Sequence, residues 1–374
     1  MGVAESDDTI HHRAGPLESD PSGLRPAHLT GAGRRPPLEL TTVTSTGATF
    51  HQGTSVSRVV DLVPGTHHTH RGISFATLPL PPGERRCRFA SVNDVHFGEV
   101  EAGRLDDSDR GPVQRVPAGS SPYPEVMNAA VVDELRGSEV YRGPLAAVFV
   151  KGDVSSSGTT EEFAAFERCY RPPFGDRLTV VRGNHDAYQG QHEYAGESWV
   201  DLPGVSVALM DTTVPGHSGG ALGREQIDWL DAMVAAADGP VVVMGHHPPY
   251  FGAVDDNPDF VLTPAASLEL EELFGRRTAV VAYTAGHTHR HRVQRPASGV
   301  PCIEVGCVKD FPGTWAEYEV YDGGILQVVH RLSSPAALAW SEQCRGLYAD
   351  FGVDYASYAL GGLDDRCLPI AWRT

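Results

Sequence analysis

From residue 87 onward the chain alternates short apolar runs with longer stretches whose apolar residues recur on one helical face. The runs Phe89–Val92, Leu145–Val150, Leu178–Val181, Val205–Met210, Val241–Met244 and Ala279–Tyr283 predict strands. Between them, Glu125–Arg136, Glu161–Tyr170, Arg224–Ala237 and Ser267–Phe274 predict helices. In the third of these, Ile227, Trp229 and Leu230 start an apolar face that Met233 and Val234 continue. Strands alternating with helices imply an α/β sheet covered on both faces. Pro301–Gly306, Trp315–Tyr321 and Ile325–Leu332 predict further strands, and Asp322-Gly323 supplies a hairpin turn between the last two. Residues 335–374 are mixed, with one predicted helix at Ala336–Tyr348.

The start of the chain reads differently. Residues 1–38 are rich in Gly, Pro, Ser, Asp and His without an apolar period, which predicts a disordered tail. Leu38–Val43 and Ser57–Leu62 then predict short strands, and Val63-Pro64-Gly65-Thr66 a turn. This stretch resembles part of a fibronectin type III-like module, whose L-x-P-G-T corner it carries. It is too short for a full sandwich, so it is either a truncated module or a β-flap on the main domain. Leu80-Pro81-Pro82-Gly83 is a linker signal. The expected division is a tail (1–38), a small β segment with its linker (39–86), a main domain (87–332) and a C-terminal helical extension (333–374).

Composition narrows the function classes. Apolar residues make up 41% and charged residues 21%, the balance of a globular protein. The formal net charge of −18 repels polyanions, which argues against binding long nucleic acid. A small phosphorylated partner stays open, since bound metal ions reverse the local sign. The six cysteines include no CxxC pair, so they read as buried small hydrophobes rather than a zinc or redox motif. No run approaches the length of a membrane span, and Arg34-Arg35 is followed by Pro36-Pro37 rather than an apolar stretch. The expectation is a cytoplasmic protein with no membrane partner.

Five short motifs share one position, just after a strand: Asp94-Val95-His96, Gly152-Asp153, Gly183-Asn184-His185-Asp186, Gly245-His246-His247 and Gly286-His287-Thr288-His289. Loops leaving the carboxyl ends of parallel strands converge on one crevice. The converging side chains are oxygen and imidazole donors without thiolate, a set that suits Mn, Fe or Zn. Their number exceeds the needs of one ion and matches two ions sharing a carboxylate.

The ordered set D-x-H, GD, GNHD, GH and GHxH resembles that of the calcineurin-like metallophosphoesterase superfamily, over roughly residues 88–332. The resemblance implies a two-sheet β-sandwich core flanked by helices. It implies that Asp94, His96 and His289 hold one metal, Asn184, His246 and His287 the other, and that Asp153 bridges them. His185 would face the substrate, with Asp186 fixing its tautomer. The implied reaction is hydrolysis of a phosphate ester by metal-bridged hydroxide attack on phosphorus, with His185 stabilising developing charge or protonating the leaving oxygen.

Departures sharpen this. Asp153-Val154-Ser155-Ser156-Ser157-Gly158 lacks the second Asp and the Arg of GDxxDRG, against a protein Ser/Thr phosphatase. Arg182 precedes GNHD and is either a phosphate clamp or a surface Arg at a strand end. Residues 97–124 carry Glu99, Glu101, Asp106, Asp107 and Asp109; a solvated acidic insertion is preferred over a substrate-selecting loop. His67-His68-Thr69-His70 has no carboxylate beside it in sequence and reads as surface strand. His247 is a second-layer candidate. Arg290, His291 and Arg292 either line the pocket or cap the turn, and Tyr188 and Tyr250 either stack on a base or pack at the rim. The combination of D-x-H with GNHD resembles the class III cyclic nucleotide phosphodiesterases. The leading reading is therefore a phosphodiesterase of small phosphodiesters such as cyclic nucleotides. The alternatives are a phosphomonoesterase using Arg182 and a catalytically silent scaffold.

Overall fold

A computed structural model describes residues 36–104, 113–252 and 260–373. The predicted tail, apart from its last residues, lies outside them, as do Asp106, Asp107 and Asp109. The strands in chain order are β1 (Glu39–Val43), β2 (Ala48–Gln52), β3 (Ser55–Val59), β4 (His67–His70), β5 (Ile73–Ala76), β6 (Arg85–Val92), β7 (Glu101–Ala102), β8 (Gln114–Arg115), β9 (Val148–Lys151), β10 (Leu178–Val181), β11 (Ser198–Leu202), β12 (Val205–Met210), β13 (Val241–Gly245), β14 (Val280–Ala285), β15 (Arg292–Gln294), β16 (Cys302–Glu304), β17 (Thr314–Tyr321), β18 (Gly324–Arg331) and β19 (Cys367–Ala371). The helices are α1 (Tyr123–Arg142), α2 (Thr160–Phe174), α3 (Arg224–Ala236), α4 (Pro264–Arg276), α5 (Pro335–Cys344), α6 (Tyr355–Leu360) and α7 (Leu363–Arg366).

The apolar strands build two six-stranded sheets, ordered β10-β9-β6-β17-β18-β19 and β11-β12-β13-β14-β16-β15. Their facing sides share one core, including Phe89, Phe149, Val207, Leu209, Met244, Ile303 and Tyr318. The outer face of the first sheet packs on α1, α2 and α5, with Met127, Leu135, Phe166 and Trp340 in its core. The outer face of the second packs on α3 and α4 through Ile227, Leu230, Leu270 and Phe274. The pattern reading expected a sheet with helices on both faces. Here each sheet has helices on one face and the other sheet on its second, the sandwich implied by the family resemblance. Both arrangements bury both faces of a strand, so an apolar run does not tell them apart.

Local chemistry sets the helix ends nearest the site. Thr159 and Glu162 cap α2 reciprocally: the Thr159 hydroxyl accepts from the Glu162 amide, and Glu162 accepts from the Thr159 amide. Glu162 also accepts from the Ser157 amide at 2.9 Å, which ties the loop after β9 to the helix start. Thr263 caps α4, with Pro264 in the first turn.

The N-terminal segment forms the three-stranded sheet β1-β2-β3 and the hairpin β4-β5. Val43, Phe50, Val56 and Phe75 pack on Leu326, Val328, Leu338 and Cys367 of the main domain. Side chains alternate along β18, with Ile325 and Val329 facing the inter-sheet core and Leu326 and Val328 facing this flap. Residues 333–374 depart from the helical expectation. They hold short helices but end in β19, which extends the first sheet antiparallel to β18. Pro369 hid that strand in the sequence; it is tolerated because β19 lies at the sheet edge. All six cysteines are unpaired and none is exposed.

Candidate active site

The motif loops leave β6, β9 and β10 in one sheet and β13 and β14 in the other. β6, β9 and β10 run parallel, as do β12, β13 and β14, so the loops emerge from one edge of each sheet and meet. Turning this soon after a strand takes unusual backbone. Among the described residues nine non-glycine positions have positive φ, and five of them are Asp94 (53°), His96 (44°), Asp153 (49°), His287 (67°) and His289 (55°). Each such residue costs on the order of 1–3 kcal/mol and persists where the surroundings dictate it, commonly at functional sites. Gly183 is required for close approach: a Cβ there would collide with the carboxylate and amide of Asp153.

The loops bring all seven sequence-predicted metal residues together. Asp94, His96 and His289 form one group of donor atoms within 4.8 Å of one another, and Asp94, Asp153 and His246 form a second. Asp153 Oδ2 lies 3.3 Å from both His96 Nε2 and His246 Nε2. Asn184 Oδ1 lies 2.9 Å from His246 Nε2, and the His287 ring stands 4.9 Å from that of His246. The Asp94 carboxylate accepts from the His287 amide, and His246 Nδ1 meets the Lys151 carbonyl at 2.9 Å. His96 Nε2 and His287 Nε2 are buried without a hydrogen bond. Buried polar atoms are normally paired, so these nitrogens fit a role as donors to a cation.

The electrostatics agree. Burial, with Lys309 and His185 nearby, lowers the His96 pKa to about 4. Burial likewise holds His287 and His289 well below the ordinary value, aided by His247 and by Lys309 respectively. These rings are neutral at pH 7, the form that binds metal. Burial raises Asp94 to about 6, and the Asp153 charge adds to that rise. Burial opposes charge on His246, but Asp153 and Asp94 outweigh it and raise it to about 9. The His246 shift registers the negative charge of the two carboxylates, which cations would offset.

Two sequence expectations are corrected. Asp186 does not fix the tautomer of His185. His185 Nδ1 pairs with the Ser156 carbonyl at 2.8 Å. The Asp186 carboxylate instead accepts from the amides of Gly183, Val154 and Ser155 and from the Ser155 hydroxyl. It fastens the loops after β9 and β10 to each other, a positioning role, and its buried oxygens are committed there. Arg182 is not the surface residue of the second alternative, and its guanidinium is engaged inside the protein. It is buried, with Nε 2.8 Å from Asp211 Oδ2 and Nη1 2.9 Å from the Gln191 carbonyl. Arg182→Met is therefore expected to cost on the order of 3 kcal/mol of stability, because the buried Asp211 loses its counter-charge and keeps only the amides of Gly196 and Thr213. Chemical denaturation measures the loss; a large rise in KM for a monoester without destabilisation would restore the clamp.

The remaining candidates resolve similarly. His247 uses Nδ1 on the Thr212 hydroxyl and Nε2 on the Ser218 carbonyl, both at 2.9 Å, so it supports the His246 loop. Arg290 and Arg292 pair with Glu304, and His291 Nδ1 accepts from the Gly306 amide, so the three brace the turn. Tyr188 accepts from Asn184 Nδ2 at 2.6 Å while its ring lies 4.9 Å from that of His185. The Tyr250 amide donates to Ser267 Oγ. Residues missed in the sequence include Lys151, fully buried with Nζ on the Ala285 carbonyl, and the pair Glu99–Lys309. Lys151 did leave a signal, a charge closing the apolar run Val148–Val150 just before Gly152-Asp153.

This architecture, a two-sheet α/β sandwich with carboxylate, amide and imidazole donors converging from its strand ends, defines a class of metal-binding phosphoesterases. The family model of the calcineurin-like phosphoesterases matches residues 87–291, over half of the chain. The chain belongs to that family. It is 27% identical over 159 residues to a probable glycerophosphodiester phosphodiesterase GpdQ of Arcobacter nitrofigilis, covering 38% of this chain and 56% of that one. It is 25% identical over 163 residues to a probable cyclic nucleotide phosphodiesterase of Synechococcus sp., covering 39% and 59%. The chain thus spans somewhat over half the length of these relatives. A dimetal phosphatase from Danio rerio superposes with a TM-score of 0.48 at 16% identity, covering 67% of this chain and 98% of that one. Among the described residues no helix is long and apolar enough to cross a membrane.

Proposed function

We propose that this protein is a dinuclear metal-dependent phosphodiesterase acting on small phosphodiesters. The observation that carries the proposal is the place of Asp153 Oδ2, 3.3 Å from a histidine nitrogen of each donor group. Asp94, His96 and His289 would hold one ion, Asn184, His246 and His287 would hold the other, and Asp153 would serve both. When bound, two such ions (Mn, Fe or Zn) supply Lewis acidity towards a phosphoryl oxygen and acidify a water.

The chain's own residues do the rest. Asp153 Oδ1 accepts from the His185 amide at 3.0 Å, which locks the catalytic histidine to the metal-holding carboxylate. The Ser156 carbonyl takes the Nδ1 proton of His185, so Nε2 is the nitrogen that exchanges a proton with substrate. His185 is half-exposed while the metal-holding carboxylates are buried, consistent with its place on the substrate side. A diester is favoured over a monoester because Arg182, the cation suited to a dianionic monoester, is held by Asp211. Cyclic nucleotides are the preferred members of the class, supported by the D-x-H and GNHD pattern and by the description of the Synechococcus relative. The net charge of −18 favours small substrates over long polyanions.

The test compares bis-p-nitrophenyl phosphate with p-nitrophenyl phosphate, using metal-stripped protein supplemented with Mn²⁺. The diester is expected to have a kcat/KM higher by about tenfold or more, ~1.4 kcal/mol in the transition state. A faster monoester would overturn the assignment.

A further inference from the structure

His96 carries a second buried nitrogen. Its Nε2 faces Asp153, and its Nδ1 is also buried without a hydrogen bond. A carboxylate oxygen, Glu99 Oε2, lies 3.4 Å from that Nδ1. The local sequence makes this approach. His96-Phe97-Gly98-Glu99 is a tight turn in which the Glu99 amide donates to the His96 carbonyl at 3.2 Å, with Gly98 at φ 91°. That turn folds the glutamate back over the ring three residues earlier. It is anchored to the loop after β9, because the Phe97 amide donates to the Val154 carbonyl. The carboxylate is fixed from its other side by Lys309, whose Nζ lies 2.9 and 2.8 Å from its two oxygens. Lys309 is itself tied to the first motif, its amide donating to the Asp94 carbonyl.

An ionised carboxylate only accepts hydrogen bonds. Beside Nδ1 it favours the tautomer with the proton on that nitrogen, which leaves the Nε2 lone pair pointing at the centre. Partners of this kind orient metal-binding histidines, and their loss costs about 10–100-fold in metal affinity. We infer that Glu99 is a positioning residue of the metal centre, its carboxylate charge beside Nδ1 of His96 favouring the proton on that nitrogen and so keeping Nε2 as the ligand nitrogen. The inference rests on the ligand assignment above. It also gives the start of the 97–124 insertion a role that the preferred solvated-surface reading did not foresee.

Glu99→Gln tests it, with Lys309→Met as its control. Both substitutions break the Glu99–Lys309 ion pair, but only the first removes the carboxylate from His96. A glutamine offers one acceptor oxygen to two donors, Lys309 Nζ and His96 Nδ1, and cannot serve both. Calorimetric titration of metal-stripped protein with Mn²⁺ is expected to show one ion weakened by about 10–100-fold in Glu99→Gln. In Lys309→Met both ions should bind as tightly as in the wild type or more tightly, since a nearby cation has gone. The visible spectrum of the Co²⁺-loaded protein should change in Glu99→Gln only. If Lys309→Met does not fold, Lys309→Gln breaks the same ion pair with a neutral donor and takes its place. Equal Mn²⁺ affinities in Glu99→Gln and wild type overturn the inference, as does equal weakening in both variants, which marks a purely structural pair. A wild-type protein that binds fewer than two ions overturns the ligand assignment, and this inference with it. Two ions in the wild type with no effect of Glu99→Gln overturns this inference alone.

Discussion

Asp153→Ala is expected to abolish metal loading and to reduce diester hydrolysis by about three to four orders of magnitude, the several kcal/mol that a two-metal clamp contributes. The size follows from how many connections run through one carboxylate. Its Oδ2 is equidistant from His96 and His246, and its Oδ1 holds the His185 amide. Neighbouring charges show the same centrality. Burial would raise the pKa of Asp153, but His246 and His185 outweigh it and hold the group well below the ordinary range. It is therefore ionised throughout the pH range in which an assay is run. Alanine leaves His96 and His246 without their common anion, so neither donor group is complete. Elemental analysis after dialysis should find well under two ions per chain, with an unchanged far-UV circular dichroism spectrum. A folded Asp153→Ala protein that keeps two ions and full activity would remove Asp153 from the shared position.

His185→Ala is expected to act oppositely on metal content. Both ions should remain, because His185 Nδ1 is engaged by Ser156 and the backbone contact to Asp153 does not need the imidazole. Turnover should fall by about 10²–10⁴, the range that a positioned general acid contributes. The loss should depend on the leaving group. p-Nitrophenolate departs without a proton, so bis-p-nitrophenyl phosphate should suffer less than a diester with an alkoxide leaving group. An equal loss on both substrates would assign His185 to charge stabilisation rather than proton transfer. Loss of metal would make it a ligand.

These two residues were legible in the sequence because each motif directly follows a strand, and the end of a strand is where an apolar run stops. Leu178–Val181 and Val205–Met210 were read with their true limits for that reason. α1 runs beyond its predicted limits in both directions, from Tyr123 to Arg142, and ends in the exposed Val140 and Tyr141, which break the apolar period. β11 went unread because Ser198–Leu202 mixes polar and apolar residues and is half-buried along most of its length. β19 went unread because of its proline. The roles of Asp186, Arg182 and Glu99 depended on partners that spacing does not reveal. Asp186 meets amides on the loop of Asp153, and Arg182 meets Asp211, 29 residues further on. Glu99 was visible as a charge, but only the turn at Gly98 aims it at His96 rather than at solvent. Candidate ligands that belong to a motif can be read locally; the partners that position them depend on how the turns and loops fold.

The central claim is that two ions share one carboxylate and act together on a phosphodiester. Titrating metal-stripped protein with Mn²⁺ while recording bound ions per chain and the rate on bis-p-nitrophenyl phosphate tests it most directly. The account predicts saturation at two ions, with most of the activity appearing as the second binds. Saturation at one ion with full activity, or hydrolysis that persists in the stripped protein, would contradict it.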